Sequence, residues 1–429
     1  MSKVKDQKLA ADGAAELEWA RDNMPVLAQV RKEFEKEKPL AGLTIGVALH
    51  LEKKTGILLE TLAAGGAKIF ASSCNPLTTD DKVAAALAKQ KDMNVFAWAG
   101  QTGDEYYSCL TSVLDGNPDI VIDDGCDLIF AIHMKRKELL SRIIGGCEET
   151  TTGVTRLKAM EKDGALKFPV FAVNNAYSKF LFDNRYGTGQ STVDAITHIT
   201  NKLIAGKTCV VVGYGWCGKG IARRLSGLGA NVIVVETGGT LGPHESGFHR
   251  GLEALYDGFR VMSIEEAAPL GDIFVTATGN KDILTSAHFS KMKSGAILSN
   301  SGHFNVEIDE PALRKMSKKV SKVKDNIDKY ELASGKNIFL LSEGRLVNLA
   351  RPGGQGHPIE IMDGSFAIQA LCVRELAVAG KGKLPVKVYD VPKKTDDRVA
   401  ELALISQGVK LTKPSAAQIK YAESWEEGT

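Results

Sequence analysis

The segment VVVGYGWCGKG at residues 210–220 decides how the rest of the chain is interpreted. Its glycines, Gly213, Gly215 and Gly218, form the pattern GxGxxG after a buried apolar run and before a helical pattern that ends at Gly229. The first glycine permits a tight turn, the second lets a pyrophosphate approach the backbone, and the third allows close packing of the helix. This context predicts a dinucleotide-binding β-α-β unit.

The residues that follow this unit indicate which dinucleotide binds. Glu236 closes the next apolar run, ANVIVVE, and a carboxylate there accepts both ribose hydroxyls and repels a 2′-phosphate. NAD is therefore favoured over NADP.

A glycine-rich stretch, TGGTLGPHESGFHRG at 237–251, follows where such folds normally continue straight into a helix. Its histidines, His244 and His249, are candidate metal ligands, but the stretch offers only one further ligand, Glu245. Because no fourth ligand is evident, we expect a solvated or substrate-covering loop and no metal.

Short apolar runs alternate with helical patterns in both directions from this unit. LTIGVAL at 43–49 precedes a helical pattern, and the same rhythm continues through AKIFASS, MNVFAWAG, DIFVTATG, GAILSN and NIFLLSEG. Such alternation predicts parallel sheets covered by helices on both faces. The predicted fold class is α/β, with two doubly wound parallel-sheet domains, a substrate domain and a Rossmann NAD domain, and a short C-terminal segment.

Two features suggest where the chain crosses between these domains. Gly187 and Gly189 punctuate a helix start, and a long amphipathic helix follows His357. We expect the substrate domain to begin with residues 1–190, the NAD domain to span 191–350, the chain to return to the substrate domain over 351–392, and 393–429 to form a C-terminal oligomerisation segment.

The composition limits which partners the protein is expected to bind and in which cellular compartment it is expected to lie. With 54 Lys and Arg against 52 Asp and Glu, the net charge is +2, which argues against nucleic acid or anionic membrane as partners. No apolar run reaches the about 18 residues that a membrane span needs, and the amino terminus lacks the apolar block of a signal peptide. The seven cysteines form no CxxC pair. We expect a cytoplasmic protein with reduced, mostly buried thiols.

Polar residues crowd at the ends of the predicted strands. Any one of them is typical of a helix cap or a turn, but parallel sheets place their sites at the carboxyl ends of strands. The segments concerned are VIDDGCDL with Asp123, Asp124 and Asp127, CEETTTG with Glu148 to Thr152, AYSKFLFDN with Lys179 and Asp183, NSGHFN with His303, and GQGHP with His357.

Taken in order, these strings resemble the adenosylhomocysteinase (S-adenosyl-L-homocysteine hydrolase) family. The similarity runs from residue 24 to the tail and includes SCNPL, DDGCDL, EETTTGV, KFLFDNRYG, GYGWCGKG, TGNKDI, GHFNVEID, EGRLVNL and GHP. The strings HLEKKT and RYGTGQS resemble the archaeal and thermophile-type branch.

The resemblance implies NAD-dependent, reversible hydrolysis of S-adenosyl-L-homocysteine to adenosine and L-homocysteine. Oxidation of the ribose 3′-hydroxyl makes the C4′ proton acidic, homocysteine leaves by β-elimination, water adds, and the 3′-position is reduced again. The alternative is the same cycle on another nucleoside, as an S-inosyl-L-homocysteine hydrolase or a nucleoside 5′- or 6′-dehydratase. A non-catalytic, NAD-sensing protein is disfavoured, since it would be expected to have lost the catalytic side chains.

The resemblance also implies the catalytic and substrate-binding residues. Lys179 with Asp183 takes the 3′-hydroxyl proton, and Asp124 is the base at C4′. His50 protonates the leaving sulfur and then activates water, while His303 holds the 3′-oxygen. The substrate-binding residues are Glu52, Lys54, Thr55, Glu149 and His357.

Contacts to the cofactor follow from the same resemblance and from the glycine motif. The implied NAD-binding residues are Thr150, Thr151, Thr152, Asn184, Gly213, Gly215, Trp216, Cys217, Gly218, Glu236, Thr276, Thr278 and Asn348. The family pattern further implies a homotetramer whose only other partner is its small nucleoside substrate.

The chain departs from the family pattern at several positions. Lys54 aligns with the glutamate that reads adenine in animal-type members, and Glu52 lies just before it. Either side chain could read the purine, and we expect the base to be adenine. RPGGQ at 351–355 extends the loop where relatives bind a monovalent cation, a further candidate cofactor. The tail ESWEEGT lacks the Lys and Tyr that relatives insert into a neighbour's NAD site, so we expect NAD to be released readily.

Overall fold

The fold contains two sheets, described here from a computed structural model that covers residues 2–239 and 246–425. In this part of the chain the strands, β1 to β16, span Lys3–Val4, Thr44–Ala48, Lys68–Ser72, Met93–Ala97, Ile120–Asp123, Gly145–Glu148, Val170–Ala172, Thr208–Val212, Asn231–Val235, Arg260–Met262, Ile273–Thr276, Ala296–Asn300, Ser317–Lys324, Ile327–Leu332, Asn337–Leu341 and Val388–Asp390.

Helices cover the sheets. Over the described residues α1 to α17 span Ala10–Asp22, Pro25–Glu37, Lys53–Ala64, Asp81–Leu87, Gly103–Leu114, Asp127–Lys135, Thr151–Lys162, Tyr177–Lys179, Thr188–Thr200, Trp216–Gly227, Gly247–Tyr256, Ile264–Ala267, Ser286–Phe289, Glu310–Lys315, Ile359–Ala379, Lys393–Ser406 and Ala416–Glu423. A π-helical segment, Phe180–Gly187, joins α8 to α9. None of these described helices combines the length and apolarity needed to span a bilayer.

The first sheet has the order β1-β4-β3-β2-β5-β6-β7-β16, and every neighbouring pair is parallel. From β2 the chain first builds outward to β3 and β4 and then restarts on the other side with β5. The carboxyl ends of β2 and β5 therefore form a topological switch point, where open α/β sheets bind ligands.

The second sheet has the order β10-β9-β8-β11-β12-β15-β14-β13 and a switch point between β8 and β11. It is parallel up to β15, after which β14 and β13 add an antiparallel edge. The lysine-rich sequence SKKVSKVK forms β13, and its exposed lysines, such as Lys318 and Lys322, discourage pairing with other chains. The two mostly parallel sheets confirm the predicted fold class.

Both faces of the glycine-motif strand are buried, which explains its continuous apolar run. Val210 and Val212 pack in one core cluster of the second sheet, whereas Cys209 and Val211 pack in the cluster on the other face. A parallel strand covered on both faces reads as such a run rather than as an alternating pattern.

The first sheet is assembled from two distant parts of the chain. After the second sheet is complete, α15 returns to pack against α2 and α3, and β16 then pairs with β7. The Asp363 carboxylate of α15 accepts hydrogen bonds from the backbone N–H groups of Val26 and Leu27, at 2.8 and 2.7 Å, and so caps the start of α2.

Candidate active site

One cavity receives the carboxyl ends of strands from both sheets. His50 follows β2 and Asp124 follows β5, at the first switch point, while the glycine turn after β8 lies at the second. The predicted residues that line this cavity are His50, Glu52, Lys54, Thr55, Asp124, Glu149, Thr150, Thr151, Thr152, Lys179, Asp183, Asn184, Gly215, Trp216, Cys217, Thr278, His303, Asn348 and His357.

Four predicted cofactor residues lie outside this lining. Gly213 and Gly218 shape the turn itself, since a Cβ at Gly218 would stand 1.8 Å from the Gly213 carbonyl oxygen. The Thr276 hydroxyl donates a hydrogen bond to Asn300 Oδ1 at 3.0 Å and is buried beneath the surface of the cavity. Glu236 stands behind the glycine turn, where its Oε1 accepts from the Tyr214 N–H at 2.5 Å.

The glycine turn fits a dinucleotide. Gly213 has a φ of +97°, which favours glycine. Gly215 is the N-cap of α10, and nothing lies within 4 Å of where its Cβ would be, so a pyrophosphate can approach the helix amino end. Across the cavity, Asn348 Oδ1 is buried without a hydrogen-bond partner among the described residues, and it can accept from a nicotinamide carboxamide.

Asp124 lies between two histidines. Its Oδ2 is 3.4 Å from His50 Nε2, and its Oδ1 is 3.5 Å from His303 Nδ1. Gly125 makes this approach possible, because its φ is +103° and a Cβ there would stand 2.3 Å from His303 Nε2. The carboxylate therefore has an imidazole within reach of each of its oxygens.

His50 is neutral at physiological pH. Burial lowers its pKa to about 4, although the nearby Asp124 carboxylate acts in the opposite direction. Its Nδ1 lies 2.8 Å from Thr78 Oγ1, which orients the ring. The Cys74 thiol points at the same carboxylate, with Sγ 3.6 Å from Asp124 Oδ2.

Lys179 is the cation of a buried polar cluster. Its Nζ lies 3.2 Å from Asp183 Oδ1 and 3.5 Å from Glu149 Oε1, and it donates to Asn184 Oδ1 at 2.9 Å. Burial opposes the charge on the ammonium, but the Asp183 and Glu149 carboxylates, together with Asp124, outweigh it and raise the pKa of Lys179. The resting side chain is an ammonium that can donate a hydrogen bond.

The carboxylates of this cluster differ in protonation. Burial raises the pKa of Glu149 to about 8, so this carboxyl is protonated at neutral pH. For Asp183, burial is outweighed by Lys179 and His357, and its pKa lies well below its ordinary value. His357 Nδ1 is 3.3 Å from Asp183 Oδ1, which places this histidine against the cluster.

At another end of the cavity two opposite charges are buried together. Lys54 Nζ lies 3.1 Å from Glu52 Oε2 and donates to the Gln355 carbonyl oxygen at 3.1 Å. Burial lowers the pKa of Lys54, and Glu52 partly offsets that effect. The Thr55 hydroxyl donates to the His50 carbonyl oxygen at 2.5 Å. An ammonium thus bonds to the loop where the family resemblance implies a monovalent cation.

Sequence reasoning missed several residues of the lining. Most are apolar or small side chains whose chemistry indicates no role, whereas Arg250 lies within the glycine-rich stretch 237–251 and could have been suspected. The missed side chains are Leu49, Thr188, Arg250, Ala277, Ser301, Leu346, Leu349, Met362 and Phe366. Of the two loop histidines, His249 is exposed on α11 outside the lining, and His244 lies outside the described residues.

Comparisons with known proteins agree with this geometry. Residues 1–142 match the family model of S-adenosyl-L-homocysteine hydrolase, and residues 184–354 match the model of its NAD binding domain. The chain is 55% identical to "S-inosyl-L-homocysteine hydrolase" of Methanococcus maripaludis over 100% of both chains. It is 51% identical to "Adenosylhomocysteinase" of Sulfurisphaera tokodaii over 100% of this chain and 99% of the relative.

Among solved structures, the chain is similar to the NAD-bound 3-phosphoglycerate dehydrogenase of Entamoeba histolytica, with a TM-score of 0.44 and 13% identity, covering 81% of this chain and 99% of that one. The full-length relatives and the two family models determine the assignment. With its NAD-binding glycine turn and its switch-point cavity, the chain belongs to the S-adenosyl-L-homocysteine hydrolase family.

Proposed function

We propose that the protein cleaves the thioether of an S-nucleosyl-L-homocysteine reversibly to the nucleoside and L-homocysteine. The observation that carries this proposal is the single cavity in which the NAD-binding turn faces Lys179 and the Asp124 carboxylate with its two histidines. This arrangement offers groups for oxidation at C3′ and for proton transfer at C4′ and C5′. A protein that only binds NAD would need the glycine turn but neither of these sets of catalytic groups.

The thioether carbon C5′ has no acidic neighbour, so direct elimination has a high barrier. NAD, when bound, supplies the hydride acceptor for C3′ and returns the hydride at the end. The Lys179 ammonium donates to the 3′-oxygen and stabilises the negative charge that develops there, while the Asp183 carboxylate, the ionised acceptor beside Lys179, takes the 3′-hydroxyl proton.

With a 3′-ketone in place, the C4′ proton becomes acidic and Asp124 accepts it. Because Asp124 Oδ2 lies 3.4 Å from His50 Nε2, the proton can pass to His50 and then to the departing sulfur. His50 is then neutral again, as its low pKa favours, and can accept a proton from the water that adds at C5′.

For the base, we propose hypoxanthine, so that the substrate is S-inosyl-L-homocysteine. Hypoxanthine presents an N1–H donor and an O6 acceptor, which Glu52 and Lys54 can meet with a carboxylate and an ammonium. Lys54 stands at the position that the family resemblance gives to the base reader. The name of the Methanococcus maripaludis relative supports the same base.

S-Adenosyl-L-homocysteine is the second candidate. Here the specific observation is that Lys54 is already engaged by Glu52 and by the Gln355 carbonyl. If those bonds persist in the complex, Glu52 can accept from the adenine amine instead. The name of the Sulfurisphaera tokodaii relative supports this base.

The test is to measure kcat/KM for both substrates side by side. The parent enzyme is expected to favour the inosyl substrate by about 10-fold or more, since an ammonium facing the adenine amine leaves a buried donor unpaired at about 1 to 3 kcal/mol. Lys54→Glu should reverse the preference, whereas Lys53→Glu, at a half-buried position outside the cavity lining, should not. If the parent enzyme prefers the adenosyl substrate, the proposal of hypoxanthine as the base is wrong. If neither substrate releases homocysteine, the proposed reaction is wrong.

We further propose the domain bounds and assembly expected from the sequence: 1–190 and 351–392 for the substrate domain, 191–350 for the NAD domain, and 393–429 for an oligomerisation segment in a homotetramer. The pairing of β16 with β7 supports the return of the chain. The described part of α17 buries none of its residues in its own chain, which supports a role between chains.

A further inference from the structure

Helix α11 lies over the glycine turn and is fixed there at several points. At its start, a Cβ at Gly247 would stand 1.8 Å from the Thr237 carbonyl oxygen, so only glycine allows this approach. At its end, Asp257 Oδ2 accepts from the Tyr214 hydroxyl at 2.7 Å. Between them, Glu253 Oε2 pairs with Lys219 Nζ of α10 at 2.7 Å. The helix is therefore held in register with the turn that binds the dinucleotide.

Arg250, one turn into this helix, faces the cavity. Its side chain is 22% exposed, it belongs to the cavity lining, and its Nε is buried without a hydrogen-bond partner among the described residues. The nearest carboxylate is that of Glu236, whose Oε1 lies 3.9 Å from Arg250 Nη1. A charge-assisted hydrogen bond between a guanidinium and a carboxylate is shorter than this distance, at about 2.7 to 2.9 Å. The guanidinium therefore has donors to spare beside the residue expected to meet the cofactor ribose.

We propose that Arg250 is a cofactor-binding residue that, together with Glu236, forms hydrogen bonds to the adenosine ribose of NAD. A hydroxyl group both donates and accepts, an arginine only donates, and a carboxylate only accepts. A ribose hydroxyl lying beside the pair can accept from Arg250 and donate to Glu236, so that one hydroxyl bonds to both side chains. A 2′-phosphate would meet the Glu236 carboxylate, so the pair favours NAD even though one member is cationic.

This inference is independent of the base in the substrate, and binding measurements test it without turnover. NAD affinity is measured by calorimetry on apoprotein for the parent, Arg250→Ala, Arg250→Gln and a control, Arg260→Ala, whose arginine is exposed on β10. Arg250→Ala should weaken NAD binding about 10-fold, as expected for a hydrogen bond from a charged group, and the control should bind as the parent does. Arg250→Gln keeps a donor and should lie between them.

The same titrations with an NAD analogue that lacks both adenosine-ribose hydroxyls locate the contact. The loss caused by Arg250→Ala should largely disappear with this analogue, because its acceptor is absent. Unchanged NAD affinity in Arg250→Ala, or an equal loss with NAD and with the analogue, would overturn the proposal. Thermal unfolding of the apoproteins serves as the folding check, and if Arg250→Ala does not fold, Arg250→Gln takes its place in the comparison.

Discussion

At the scale of single residues, the proposed mechanism makes its first step depend on the charge of Lys179. Replacing it with alanine removes the donor to the 3′-oxygen, and loss of such positioned acid-base help costs about 10² to 10⁴ in rate. We therefore expect Lys179→Ala to lose turnover by that factor and to show little absorbance of the reduced nicotinamide when nucleoside is added. Normal absorbance would mean that another group stabilises the 3′-oxygen.

Asp124 allows oxidation and elimination to be separated. Hydride removal at C3′ needs no proton from C4′, so Asp124→Asn should still reduce the bound cofactor on addition of nucleoside. Exchange of the C4′ proton with solvent, followed by NMR in deuterated water, should slow by at least about 10²-fold. A variant that exchanges normally but fails to reduce the cofactor would place Asp124 in the oxidation step instead.

Glu149 gives the site a pH dependence whose sign can be stated. Because its pKa is about 8, the carboxyl is neutral below that pH and gains a charge as the pH rises through it. The added negative charge beside Lys179 and Asp183 holds the ammonium more tightly and opposes charge development on the substrate oxygen. We expect kcat/KM to fall above this pH in the parent and to stay level in Glu149→Gln, which cannot ionise. The same alkaline decline in both would assign it to another group.

The site residues that follow strands could be predicted from the sequence, whereas the side chains that hydrogen-bond to them could not. His50, Asp124 and Glu149 stand at the carboxyl ends of parallel strands, which topology brings together. Thr78, which contacts His50, and Gln369, whose Nε2 donates to Glu149 at 2.5 Å, come from distant segments with no motif. Only tertiary packing determines that these pairs meet.

At the scale of elements, the loop 351–355 links the base end of the cavity to α4. Arg351 Nη2 lies 3.3 Å from Oδ2 of Asp80, the N-cap of α4, and the Arg351 N–H donates to the Leu77 carbonyl oxygen at 3.1 Å. The same loop presents the Gln355 carbonyl to Lys54. In the proposed function, base recognition therefore depends on a loop that is anchored to α4.

Loosening this anchor should affect binding more than chemistry. Arg351→Ala is expected to raise KM for the preferred nucleoside by about 10-fold, the cost of about one charged hydrogen bond, with kcat nearly unchanged. Arg345→Ala, at a half-buried arginine earlier in the same connection, is the control. A fall in kcat with KM unchanged would show that the loop acts on the reaction itself.

The elements themselves were predictable to different degrees. The apolar runs assigned as strands correspond to observed strands, for example 43–49 to Thr44–Ala48, because burial on both faces leaves an unmistakable apolar signal. The Lys-rich hairpin of β13 and β14 was missed, since an exposed edge needs no apolar alternation. The π-helical segment Phe180–Gly187 was also missed. Its hydrogen-bond pattern is set by packing against α9 and α10, and the local sequence carries no signal for it.

At the scale of the whole molecule, the proposed oligomerisation segment allows folding to be tested separately from assembly. Helix α17 buries none of its residues, and Trp425 is 92% exposed. A chain truncated before Ser415 should keep its circular dichroism and unfolding temperature but sediment as a smaller species than the full chain. If the truncated chain sediments as the full chain does, the contacts between protomers lie elsewhere.

The return of the chain to the first sheet also bears on biosynthesis. When the last strand of the second sheet leaves the ribosome, that sheet has all of its strands, but β16 and the Asp363 cap of α2 have not yet emerged. The nascent protein thus holds an NAD-binding half with a complete sheet beside a half whose β7 edge is open to other chains. Chaperone demand during translation should accordingly be greatest between synthesis of the second sheet and release of β16.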